Sequence, residues 1–216
     1  MLKGIIFDVD GTLLDSMHIW NELGVRYLTS IGVEPEEGLA RILFPMSVEE
    51  SSIYLKNHYG LSDPVEKIVK DTIALIDDFY HYEVTPKRGL LQYLEWIKSR
   101  GVPMVIATSG DREVLNKALA RLGIADYFSG ILTCSELRTS KREATIYLKA
   151  AELMGTLPEE TVVFEDVLHG IRAAKSEGFI TIGMEDPFSE QDRSEIIQVA
   201  DYYIRDYMDP VLKTIS

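Results

Sequence analysis

The amino-acid sequence predicts an α/β fold: a doubly wound parallel sheet, interrupted after its first strand by an all-helical insert. Three patterns predict it. Short apolar runs recur along the chain and stop at polar or acidic residues, amphipathic stretches of helical period lie between them, and residues 15 to 82 carry helical period alone. Strands alternating with helices at this spacing close right-handed βαβ crossovers, which build a parallel sheet. The expected division is an α/β core of residues 1–14 and 83–216 and a helical cap of residues 15–82.

The first run, Gly4 to Val9, is continuous, as in a strand buried on both faces, and ends at Asp10-Gly11. From Ile19 the period becomes helical: Trp20, Leu23, Tyr27, Leu28 and Ile31 fall three and four apart, and Gly32 stops the helix. Ser47 to Tyr59 reads as a shorter helix. Ser62-Asp63-Pro64 signals a helix start, and Val65, Ile68, Val69, Thr72, Ile73, Ile76 and Phe79 follow in helical period. Beyond Pro86 the alternation begins. Leu90, Tyr93, Leu94 and Ile97 mark a helix, Val102 to Ala107 a strand, and Val114 to Leu122 a helix closed by Gly123. Ile131-Leu132 is a weak strand and Ala144 to Met154 a helix. Thr161 to Phe164 is a strand, Gly170 to Glu177 a helix stopped by Gly178, Phe179 to Gly183 a strand, and Tyr202 to Ile204 a last short one. The acidic stretch Glu185 to Glu195 reads as solvated surface.

Composition narrows the function. The chain has 216 residues, 46% of them hydrophobic, which suffices for a packed core. Its 22 basic residues against 35 acidic ones leave a net charge of −13, which argues against nucleic-acid binding through the phosphate backbone. The single cysteine, Cys134, excludes an internal disulfide and a multi-cysteine zinc site. No segment has the roughly 20 apolar residues of a membrane span, and the N-terminal apolar run meets Asp8 too early for a signal peptide. The expectation is a cytoplasmic monomer with no membrane or nucleic-acid partner.

The unusual residues collect at strand ends, where open parallel sheets bind ligands. Asp8 and Asp10 follow the first strand, Thr108-Ser109 the second core strand and Glu165-Asp166 a later one, while Lys141 lies in a loop entering a helix. Asp8 and Asp10, two apart in an extended segment, point to one side. Four carboxyl groups converging there repel one another unless a cation intervenes, and a hard oxygen-liganded ion, Mg²⁺, suits them best beside a phosphate. Against a bound phosphate one carboxylate could be the nucleophile and a second the general acid and base. Thr108, Lys141 and backbone N–H groups could hold the equatorial oxygens.

In this pattern the sequence resembles the haloacid dehalogenase superfamily of phosphotransferases. Phe7-Asp8-Val9-Asp10-Gly11-Thr12-Leu13 is similar to its first signature, Val105-Ile106-Ala107-Thr108 to its second, and Lys141 to its third. Val162-Val163-Phe164-Glu165-Asp166 with Gly170-Ile171-Arg172-Ala173-Ala174 is similar to its fourth. The helical insert resembles the C1 cap of the beta-phosphoglucomutase-like phosphatase group. The resemblance implies a Rossmann-like core and a Mg²⁺-dependent phosphatase that hydrolyses a small phosphorylated metabolite, expected to be a sugar phosphate. It implies Asp8 as nucleophile and Asp10 as general acid and base, with Thr108, Ser109 and Lys141 holding the phosphoryl group. The implied metal ligands are Asp8, Asp10 through its carbonyl, Asp166, and Glu165 directly or through water.

The chain departs from that pattern in places. Arg142-Glu143-Ala144 replaces a proline-rich loop after Lys141, and Val167 replaces a serine after Asp166. Trp20 and Val48 stand where the mutase has a histidine and an arginine, which favours hydrolysis over a phosphosugar mutase. A dehalogenase and a phosphate-binding regulatory module are weaker alternatives. His18 and Trp20 are candidate substrate contacts, although His18 also suits an exposed helix start and Trp20 a cap-core anchor. Arg41, Lys56, Lys67 and Lys87, taken with the cap, could read a distal anionic group of the substrate but are expected at the surface, and Cys134 is expected to be structural.

Overall fold

The computed structural model describes residues 2–43 and 46–215. It divides into two compact units, Met1–Ser16 with Val84–Ser216, and Met17–Glu83. In chain order the elements are β1 (Gly4–Phe7), β2 (Leu14–Asp15), α1 (His18–Ser30), α2 (Leu39–Leu43), α3 (Val48–Tyr59), α4 (Val65–Asp78), β3 (Thr85–Pro86), α5 (Leu90–Ser99), β4 (Met104–Thr108) and α6 (Arg112–Leu122). There follow β5 (Gly130–Thr133), α7 (Cys134–Leu137), α8 (Thr145–Met154), β6 (Thr161–Glu165), α9 (Leu168–Ser176), β7 (Ile180–Met184), α10 (Arg193–Val199) and β8 (Tyr202–Ile204).

Six strands form one parallel sheet in the order β5-β4-β1-β6-β7-β8, the α/β architecture expected from the sequence. β1 lies between β4 and β6, with Phe7 opposite Ile106 on one side and Phe164 on the other. From β1 the chain goes to one side of the sheet and later returns to the other, so the topological switch lies at β1. Asp8 is the next residue.

Side-chain alternation sorts the strands into two faces. Ile6, Val105 and Val163 pack with Ile146, Tyr147 and Ala150 of α8 and Ala174 of α9 on one face. Phe7 and Phe164 belong to an aromatic cluster on the other. Their rings stack at 4.9 Å, and Tyr207 lies 5.6 Å from Phe164 and 5.3 Å from Tyr93. The Tyr207 hydroxyl donates to the Thr12 carbonyl at 3.2 Å, tying the C-terminal segment to the loop after β1.

β2 and β3 pair antiparallel, Leu14 opposite Pro86 and Asp15 opposite Thr85. Two residues each are too few to leave a strand signature in the sequence. Lys87 belongs to this core unit. Its ammonium reaches Asp186 at 2.7 Å, so it is a buried ion-pair partner and not the surface residue its type suggests. The stretch read as solvated also differs: Asp186 and Ser189 are buried, because Asp186 accepts from the Phe188 N–H and turns the chain inward.

In the unit Met17–Glu83, Tyr27, Leu28, Leu39, Leu43, Leu55 and Ile68 form the core. Gly24 leaves the room that the Leu43 side chain occupies. A reciprocal cap between Ser47 and Glu50 starts α3. His18 packs edge-on against Phe79, whereas Trp20, 42% exposed, is not a core anchor. Lys56 donates to the Leu61 and Asp63 carbonyls, Lys67 bridges Asp63 and Asp71, and Arg41 is exposed. Among the described residues, no helix is long and apolar enough to cross a membrane.

The stacked pair at the sheet centre yields a stability prediction. Phe164→Ala should lower unfolding free energy by about 3–5 kcal/mol, read as a lower denaturant midpoint with little change in slope.

Candidate active site

The site starts from the turn that ends β1. Asp8 is buried, and its N–H donates to the Phe164 carbonyl at 3.0 Å, so the strand ladder continues as far as this side chain. The chain then folds back on itself: Leu14 N–H donates to Val9 O at 2.9 Å and Gly11 N–H to Leu14 O at 3.0 Å. Gly11 has φ +80°, and a Cβ there would collide with the Asp166 carboxylate and lie 3.3 Å from Asp186 Cγ. Glycine is needed for both the backbone conformation and the approach of Asp166. Asp10 is held beside this turn, its Oδ1 accepting from the Ser16 hydroxyl at 2.7 Å.

β6 and the loop before α8 supply the opposite charges. Asp8, Glu165 and Asp166 are buried, with a carboxylate oxygen from each lying within 4.8 Å of the others. Lys141, also buried, contacts Asp8 Oδ1 and lies 2.6 Å from Glu165 Oε1. Tyr147 OH donates to the same Oε1 at 2.8 Å, and Glu165 Oε2 accepts from the Asp166 and Val167 N–H groups at 3.1 and 3.3 Å. The Ser189 hydroxyl donates to Asp166 Oδ2 at 3.4 Å.

The electrostatics follow from this crowding. Burial raises the Asp8 pKa above the ordinary carboxylate range; Lys141 opposes the shift, while Glu165 and Asp10 add to it. Burial likewise pushes Asp166 well above its usual range, helped by Asp8 and Glu165. For Lys141, burial works against the charged form, but Asp8 and Glu165 override it and hold the ammonium above its ordinary range. Three carboxylates against one ammonium leave the cluster short of positive charge. All its donors are oxygens, so the residues fit a hard divalent cation in both charge and ligand chemistry.

Thr108 and Ser109 end the adjacent strand, β4. Thr108 is buried and its Oγ1 accepts from the Gly110 N–H at 2.9 Å; the cap of α6 is Asp111, not Thr108. A Cβ on Gly110 would lie 3.2 Å from Thr108 Oγ1 and 3.5 Å from Asp10 Oδ2, so both side chains approach this glycine closely. Ser109 is exposed, its hydroxyl 3.5 Å from the Sγ of buried Cys134. The structure therefore brings Asp8, Lys141, Glu165 and Asp166 into direct contact or close approach and sets Asp10 and Thr108 both close to Gly110. His18 and Trp20 belong to the helical unit.

Sequence reasoning missed Ser16, Tyr147, Ser189 and the pair Lys87–Asp186. Tyr147 lies in the helix read from Ala144 to Met154, and that reading did not single it out. A tyrosine buried beside a predicted strand-end glutamate is the signal that could have singled it out, since a buried phenol requires a partner.

A family model described as haloacid dehalogenase-like hydrolase matches residues 5–184. The chain is 28% identical to the phosphorylated carbohydrates phosphatase of Thermotoga maritima, over 82% of each protein. It is 27% identical to hexitol phosphatase A of Escherichia coli, over 90% of this chain and 88% of the relative. Among solved structures it is similar to a provisionally named beta-phosphoglucomutase from Thermotoga maritima, with 25% identity, 99% of this chain and 98% of that one covered, and a TM-score of 0.85.

The turn at Gly11 can be tested directly. Gly11→Ala should lose about 1–2 kcal/mol of stability from the left-handed backbone alone and displace Asp166. The expected result is a lower melting temperature together with weaker binding of a divalent cation in calorimetric titration.

Proposed function

The chain belongs to the haloacid dehalogenase-like hydrolases, and from that premise we propose that it is a Mg²⁺-dependent phosphomonoesterase acting on a small phosphorylated metabolite of the sugar-phosphate class. The observation that carries the proposal is the convergence of buried Asp8, Glu165 and Asp166 beside Lys141 at the carboxyl end of the sheet. The named activities of the carbohydrate and hexitol phosphatases support the substrate class.

In this reading an Asp8 carboxylate oxygen attacks phosphorus and the bond to the leaving oxygen breaks, forming an aspartyl phosphate. Asp10, as the carboxylic acid, gives its proton to the departing alkoxide. As the carboxylate it then takes one from the water that attacks the same phosphorus, and phosphate leaves with Asp8 restored. The Ser16 hydroxyl fixes the Asp10 side chain for both transfers. The Lys141 ammonium, the Thr108 hydroxyl and the Ser109 amide hold the phosphoryl oxygens. Mg²⁺ would be held by Asp8, Asp166 and the Asp10 carbonyl, with Glu165 a ligand directly or through water; it would neutralise charge on the phosphoryl group.

The helical unit is proposed as the cap that selects the substrate, with Trp20 and His18 as candidate contacts; an indole left 42% exposed supports the first of these. The net charge of −13 favours a small substrate over a polyanion and suits a soluble cytoplasmic monomer. A phosphosugar mutase is the second reading, favoured by the provisional name of the structural neighbour.

Two measurements test the proposal. A panel of phosphorylated sugars and polyols with Mg²⁺ should release inorganic phosphate, and chelation should abolish the release. Hexose 1-phosphate supplied with a catalytic bisphosphate should give free phosphate; isomerised product would establish the mutase instead. Asp8→Asn should lower kcat by at least about 10³-fold while the melting temperature stays at or above that of the wild type, because the substitution removes a buried charge. Retained turnover in that variant would overturn the assignment of Asp8.

A further inference from the structure

Glu165 is fully enclosed and four donors meet its two oxygens: Lys141 Nζ and Tyr147 OH at Oε1, and the N–H groups of Asp166 and Val167 at Oε2. Two of these lie in the backbone just before α9, whose N-cap residue, Val167, makes no side-chain capping bond. The Glu165 carboxylate therefore braces the turn that leads into the helix. Lys141 serves Asp8 as well, so among the side-chain donors Tyr147 alone is given to Glu165.

Gly170 shows that this contact has shaped the neighbouring helix. It lies inside α9, where glycine is a poor choice. A Cβ there would stand 2.7 Å from Glu165 Cδ and Oε1 and 2.8 Å from Tyr147 OH. A residue larger than glycine would drive the phenol and the carboxylate apart. Tyr147 is anchored from the other side by the sheet core, among Ile6, Val105 and Val163, with the Phe179 ring edge-on at 6.4 Å. Its hydroxyl has no freedom to follow a displaced partner.

We infer that Tyr147 is a positioning residue for the metal site: its hydroxyl fixes the Glu165 carboxylate, and Gly170 leaves room for that contact. Partners that orient a ligand from behind set metal affinity, and their loss commonly weakens it about 10–100-fold. The inference rests on the proposed Mg²⁺ site and names a residue that the proposed chemistry does not use.

Calorimetric titration of the metal-free full chain with MgCl₂, repeated with Mn²⁺ followed by electron paramagnetic resonance, provides the test. Tyr147→Phe keeps the ring and removes the hydroxyl. It should weaken both metals about 10-fold, lower kcat at limiting Mg²⁺, and recover most of that kcat as Mg²⁺ is raised, with an unchanged KM for the phosphomonoester at saturating metal. Gly170→Ala keeps the hydroxyl but crowds the contact. It should weaken metal binding in the same way, whereas a purely structural role predicts a lower melting temperature from the crowding with metal affinity unchanged. Wild-type affinity in both variants would overturn the role of Tyr147 while leaving the metal site standing. A wild-type chain that binds neither metal would overturn the metal reading and this inference with it. Should Tyr147→Phe not fold, Gly170→Ala decides alone.

Discussion

Three buried carboxylates sharing one ammonium set the terms for this molecule. Asp8, Glu165 and Asp166 are held away from water with Lys141 between two of them. Charges of one sign gathered in low dielectric raise the free energy of the fold unless something neutralises them. Burial pushes Asp8 and Asp166 toward their protonated forms for that reason. The same imbalance that strains the protein suits the site to a divalent cation, and a cation held there would make an anionic substrate acceptable to an acidic chain.

The sheet makes the gathering possible. β1 and β6 are neighbours in parallel register, Phe7 opposite Phe164, so the residues following them emerge side by side at one edge. Aromatic packing beneath, through Phe7, Phe164 and Tyr207, holds that edge rigid, and the Tyr207 hydroxyl reaches the Thr12 carbonyl in the turn itself. Two glycines then decide how closely the charged groups can approach: Gly11 admits Asp166, and Gly170 admits the contact between Glu165 and Tyr147.

What the sequence revealed depended on the range of the interaction. The parallel sheet was legible because each core strand is an apolar run that ends sharply, and Asp8, Thr108 and Glu165-Asp166 stand out because they sit at those ends. Lys141 stood out only by its place in a loop entering a helix, and the family resemblance strengthened that reading, since a lysine in a loop has no local signature. The pairing of β2 with β3 was invisible, being two residues long and made between distant segments. Asp186 and Ser189 were read as solvated from an acidic local composition. Asp186 is paired with Lys87, 99 residues earlier, and Ser189 meets Asp166, 23 residues earlier, so a short window along the chain contains neither partner. Trp20 went the other way: helical period suggested an anchor, but periodicity marks a face and does not say which neighbour covers it.

The central place of β1 has a consequence for biogenesis. β1 pairs with residues 104–106 on one side and 161–164 on the other, so both of its ladder partners lie far along the chain and the second follows well after the first. Until then Asp8 and Asp10 remain hydrated and their mutual repulsion is screened. The charge cluster comes into being only when β6 docks, late and through contacts of long sequence separation, the class that folds slowly. A divalent cation held there would clamp the ends of β1 and β6 together, joining two segments that lie far apart along the chain.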